Sequence, residues 1–141
     1  MALVLLFLGC RSDVPVAAYV DLPNAHMRLT ITRVGTHPFL SRYNLRLTVQ
    51  GPGNCVVEAT LFPDTGYVSR RNLYSTASGL LYVVGQFDAR AVDGVHCTIA
   101  LMEFRHLERD VTFLGSFDES EEGKWTFLPA AQRRELAFEK L

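Results

Sequence analysis

Hydrophobic and polar residues alternate with a period of two along most of this chain, the pattern of strands buried on one face. Met27, Leu29 and Ile31 alternate with Arg28, Thr30 and Thr32. Tyr43, Leu45, Leu47 and Val49 alternate with Asn44, Arg46 and Thr48. Gly51-Pro52-Gly53-Asn54 signals a turn, after which Cys55, Val57, Ala59 and Leu61 share a face opposite Glu58 and Thr60. Pro63-Asp64-Thr65-Gly66 predicts a second turn, and the polar stretch Ser69-Arg70-Arg71-Asn72 an exposed loop. Leu80 to Phe87 is apolar on both faces and predicts a central strand. Asp93-Gly94 is a hairpin dipeptide, followed by Cys97, Ile99 and Leu101. Val111 to Phe117, then Trp125 to Leu128 beyond the acidic turn Asp118–Gly123, supply the last strands. Turn signals at this spacing predict an all-β fold, an antiparallel sandwich or small barrel of about seven to eight strands.

The two ends depart from this rhythm. Residues 10–24 show little periodicity around Val14-Pro15-Val16-Ala17-Ala18 and Leu22-Pro23-Asn24, and read as a tether before a single β-rich domain at 25–141. After Pro129, apolar Ala130, Ala137, Phe138 and Leu141 recur at i, i+7, i+8 and i+11. That spacing predicts a short C-terminal helix, or a tail that becomes ordered on a partner.

Composition narrows the function classes. With 141 residues, 48% hydrophobic and 21% charged, the chain can bury a core without a metal or several disulfides. Lys and Arg total 14 against 15 Asp and Glu, a net charge of −1. Nucleic acid is therefore not expected as a partner, because binding phosphates takes a concentrated basic field.

The first ten residues, Met-Ala-Leu-Val-Leu-Leu-Phe-Leu-Gly-Cys, are an apolar run closed by Leu8-Gly9-Cys10. This ending resembles the lipobox of bacterial lipoprotein precursors. The resemblance implies that residues 1–9 are the remnant of a signal peptide and that Cys10 carries the lipid. The departure from the pattern is that no Lys or Arg precedes the run, which is also short for a secretory segment. A buried first strand at Leu3 to Leu8 is the alternative. Three cysteines is an odd number, so lipid on Cys10 leaves Cys55 and Cys97 as a pair for an oxidising compartment. Each stands at the start of an alternating segment, in phase with the core face. Two buried free thiols are the competing account.

Catalytic chemistry finds little support. His26, His37, His96 and His106 form no metal-ligand spacing, and no Gly-x-Ser-x-Gly elbow is present. The expectation is a protein that is not an enzyme and carries neither metal nor cofactor. Arg70 and Arg71, flanked by Tyr67 and Tyr74, form the candidate contact surface, since Arg and Tyr combine area with directed hydrogen bonds. A charged loop tip that keeps the protein soluble is the plainer reading.

Two functions follow from resemblance. A lipidated cysteine, a tether and a compact β domain resemble, in layout and size, the small pilotin lipoproteins of type III secretion systems. That likeness implies a non-catalytic accessory on the periplasmic side of the outer membrane, whose partner is a secretin-like assembly. Arg11 stands where an aspartate would resemble the inner-membrane retention signal. Alternatively, Ser78-Gly79-Leu80-Leu81-Tyr82 resembles the Ser-Gly-x-x-Tyr element of the membrane-bound lysozyme inhibitors. There Ser78 and Tyr82 would inherit binding to the lysozyme cleft, although the family's Thr-Lys-Gly element is missing.

Overall fold

A computed structural model describes residues 14–66 and 68–138. They build an all-β domain of two antiparallel sheets, one of four strands and one of six. The first is a meander, β1 (Val16–Leu22), β2 (Met27–Gly35), β3 (Tyr43–Gln50) and β4 (Val56–Thr60), in that spatial order. The second holds β5 (Arg71–Thr76), β6 (Leu81–Val84), β7 (Ala89–Asp93), β8 (Thr98–Met102), β9 (Val111–Glu119) and β10 (Trp125–Pro129). Its spatial order is β10-β9-β5-β6-β7-β8. The chain thus enters this sheet in its middle, at β5, and runs outward to β8. It then returns to add β9 and β10 on the other side of β5.

The alternating segments place their apolar members inward, as the period-two pattern requires. Leu29, Ile31, Leu45, Leu47 and Val49 meet Leu73, Leu81, Val83, Val92, Phe117 and Trp125 across the two sheets in one core. Trp125 satisfies its ring N–H on the carbonyl of Ile31 at 2.9 Å, tying β10 of one sheet to β2 of the other. The Arg33 guanidinium sits between the rings of Tyr43 and Trp125, at 4.1 and 4.7 Å, and pairs with Glu119 at 2.6 Å. These contacts clamp the sandwich at one flank. At the other, the Cys55–Cys97 disulfide joins the turn before β4 to the turn before β8, with Cα atoms 5.6 Å apart. Both cysteines do lie on facing edges, and the pair is a bridge.

Several sequence expectations need correction. Val16–Leu22 is not tether but strand, paired along its length with β2 from Val16↔Arg33 to Leu22↔Met27. Its inward positions include the small Ala18, and its outward face carries apolar Tyr19, so hydropathy does not alternate visibly. Of the helix or tail expected after Pro129, the described residues form a tail that opens with a single turn, in which Gln132 and Arg133 N–H groups donate to the Pro129 carbonyl. Beyond it the chain has no regular structure as far as residue 138. The central strand is shorter than its apolar run, ending at Val84. Ten strands appear among the described residues, more than the seven to eight expected, because β1 falls in the expected tether, β5 starts in the expected loop, and β7 lies beyond the apolar run that predicts β6. Leu101, expected in the core, is 57% exposed, while Ile99 on the same strand packs against the core. Residues 1–9, expected as a signal-peptide remnant, Cys10 and Tyr67 lie outside the described residues.

Candidate functional site

The polar stretch Ser69–Asn72 does not form an exposed loop. The strand starts at Arg71, and Arg71 and Asn72 are both buried. Successive strand residues point to opposite faces, so this stretch divides its work between the inside and the outside of the sheet.

Arg71 faces inward and serves the fold. Its Nη1 donates to the carbonyls of Ser69 and Arg70, each at 3.1 Å, and its Nη2 to the carbonyl of Phe62 at 2.8 Å. Asp88 accepts from the Phe62 N–H at 2.9 Å through one oxygen and pairs with Arg71 through the other. Burial pulls the Arg71 guanidinium below its ordinary range, and the neighbouring Asp88 carboxylate opposes that shift. Arg71, expected as a surface contact, instead pins the crossover between the two sheets.

Asn72 faces outward with Arg70 and Tyr74, in a row of three side chains on alternate residues. The outer face is nonetheless covered, because the C-terminal segment lies against it. Asn72 Nδ2 donates to the carbonyl of Leu136 at 3.1 Å, and Arg70 Nη2 donates to the same carbonyl at 3.0 Å. Tyr74 donates its hydroxyl to Glu135 at 2.6 Å. Arg70 also stacks on the ring of Phe138, 4.5 Å from its centroid. Arg133 pairs with Asp118 at 2.9 Å on the neighbouring β9. Asn72 Oδ1 accepts from Ser116 Oγ at 3.0 Å, so the amide is held in one orientation. Burial first, and then the Glu135 carboxylate, push the Tyr74 hydroxyl far above the ordinary phenol range. It stays a donor throughout the physiological range.

Ser78 and Tyr82, four residues apart in the Ser-Gly-x-x-Tyr stretch, meet different fates. Ser78 is exposed at the tip of the β5–β6 hairpin, where Gly79 takes the left-handed conformation (φ +88°) that favours glycine. Its hydroxyl donates to Glu108 at 2.6 Å. Tyr82 is only 2% exposed, so it is not a contact residue. The connection between β8 and β9 covers it, and its hydroxyl accepts the Glu108 N–H at 3.2 Å. One glutamate therefore holds both residues.

Sequence reasoning picked out Arg70 and Tyr74, which the fold places on one face, on either side of Asn72. It missed Asn72 as a site residue, and it missed Glu135, Leu136 and Phe138. The signal was present in the row Arg70, Asn72, Tyr74, whose period of two marks one strand face rather than a loop. Nothing in the local pattern announces that a segment more than sixty residues away supplies the acceptor.

Among the described residues no group of three or more His, Cys, Asp or Glu side chains is placed to hold a metal ion. Comparison of the chain with protein-family models, curated proteins and solved structures finds no match.

Proposed function

We propose that this chain is an exported lipoprotein whose β-sandwich works by presenting a surface, as a non-catalytic accessory to the assembly of a secretin-like ring in the outer membrane. The observation that carries the reading is the Cys55–Cys97 disulfide. Structural disulfides persist in oxidising compartments such as the periplasm and are rare in the cytosol. With those two sulfurs joined, Cys10 is the remaining cysteine of three in the sequence, at the end of the lipobox-like run. Lipid on Cys10 would hold the domain at the membrane, each buried methylene contributing about 0.8 kcal/mol.

The test pairs chemistry with phenotype. Mass spectrometry of the protein from its native host should find a diacylglyceryl adduct on Cys10, and Cys10→Ser should release the protein from the outer membrane. Deleting the gene should reduce the heat-resistant secretin multimer in the envelope. An unmodified N-terminus in the cytosol, or an unchanged secretin level, overturns the proposal.

A second reading rests on the Ser78 hydroxyl, which is exposed and already donates to a carboxylate, that of Glu108. A lysozyme inhibitor of the Ser-Gly-x-x-Tyr kind would aim the same hydroxyl at the carboxylates of the lysozyme cleft. Under this reading Ser78→Ala abolishes inhibition in a lysis assay and leaves the secretin untouched.

A further inference from the structure

We infer that the outer face of β5 is a docking groove for an extended segment of a partner protein, and that residues 133–138 fill this groove until the partner arrives. The segment it fits carries a carboxylate side chain followed three residues later by an aromatic ring. The inference builds on the reading of the domain as a presenter of surface.

The chemistry of the face defines the occupant. Arg70, Asn72 and Tyr74 all offer hydrogens toward the covering segment, so whatever lies there must bring oxygen atoms. The C-terminal segment does so in two ways, with the Glu135 carboxylate on Tyr74 and the Leu136 carbonyl on both Arg70 and Asn72. Phe138 adds a ring beneath the Arg70 guanidinium. Asn72 is wholly buried, and its amide is aimed by the Ser116 bond. A groove built this way keeps its geometry when one occupant replaces another, because Ser116 belongs to the sheet and not to the tail.

The present occupant is loosely held. Leu136 and Ala137 point their apolar side chains to solvent, so the segment is fixed by polar contacts and one stacked ring, not by burial. Arg133 adds an ion pair with Asp118 and a hydrogen bond to the Glu119 carbonyl. The bonds from Arg70 and Tyr74 are solvent-exposed and contribute little net free energy each, since water competes for both partners. A partner segment that repeats the carboxylate and the ring, and adds burial of its own, displaces the tail.

The test uses the full chain and a fluorescent peptide with the sequence of residues 132–138, Gln-Arg-Arg-Glu-Leu-Ala-Phe, read by anisotropy. Glu135→Ala with Phe138→Ala frees the groove without altering it, and should bind the peptide at least tenfold more tightly than the unaltered chain. Adding Arg70→Gln and Tyr74→Phe should abolish that binding, as should a peptide with lysine in place of its glutamate. Equal binding by the freed and unaltered chains, or binding indifferent to Arg70→Gln and Tyr74→Phe, overturns the inference. Should the freed chain misfold, hydrogen exchange on the unaltered chain decides. Excess peptide must speed exchange at residues 133–138, and unchanged exchange refutes displacement. The measurement uses purified components, so its failure leaves the envelope assays above to judge the broader function separately.

Discussion

Arg71 Nη2 lies 3.3 Å from Asp88 Oδ1, with side chains only 4% and 1% exposed. The pair joins the start of β5 to the start of β7, and both partners also hold the Phe62 backbone. That arrangement fixes the crossover by which the chain passes from one sheet to the other. Gly85 makes room for it: a Cβ there would stand 2.5 Å from Arg71 Nε, and the Arg71 side chain is too well held to move aside.

Removing Asp88 strands the Arg71 charge in the interior, and removing Arg71 leaves Asp88 only the longer ion pair with Arg90 at 3.8 Å. Asp88→Asn and Arg71→Ala should each destabilise the domain by about 3–5 kcal/mol. Arg46→Ala, which breaks an exposed pair with Glu58, should cost under about 1 kcal/mol. Urea unfolding followed by the fluorescence of the single tryptophan, Trp125, measures all three. Equal costs for the buried and the exposed pairs would refute the role assigned to Arg71.

The disulfide closes a loop across a separation of 42 residues. The chain-entropy relation assigns such a loop about 4 kcal/mol. Cys55→Ser with Cys97→Ser should lower the unfolding free energy by an amount of that order. Oxidised and reduced forms of the unaltered chain should differ in the same direction. A double variant as stable as the oxidised chain would show that the bond constrains nothing.

Gly115 sits in β9 opposite Pro129, at φ +149°, where a Cβ would lie 2.5 Å from the carbonyl oxygen of Leu128. That oxygen belongs to backbone and cannot swing away. Gly115→Ala should therefore cost about 1–3 kcal/mol, the range of overpacked sites. Gly53→Ala, in open space at φ +66°, should cost about 1 kcal/mol from left-handed backbone strain alone. Thermal melts of the two variants give the comparison, and a reversed order would contradict the packing of β10 on β9.

Asp21 faces Arg28 across β1 and β2, with paired contacts of 2.6 and 2.9 Å, and the guanidinium also covers the Tyr19 ring at 4.4 Å. The hydrogen bond from Arg28 holds the Asp21 carboxyl below its ordinary range. Because the folded value is depressed, the contribution to stability is present above the unfolded pKa. It is lost as pH falls through the folded one. In a carboxyl-carbon NMR titration, Arg28→Gln should raise the Asp21 midpoint toward the ordinary carboxylate range. A midpoint that does not move would place the cause elsewhere.

The sequence by itself determined the class of fold, because strict alternation leaves a segment such as Tyr43–Gln50 only one way to bury Leu45, Leu47 and Val49. It also singled out Cys55 and Cys97 by their phase on the core face. Alternation is silent where small or aromatic residues blur the contrast, and so β1 carries no strand signal in the sequence. Tertiary structure alone decided the fate of the charged stretch at 69–72. Whether an arginine serves as surface or as internal clamp depends on whether a counter-charge such as Asp88 arrives from a distant strand. Only the fold brings Leu136 over Asn72, since a buried amide takes the nearest oxygen in space and spacing along the chain carries no trace of it.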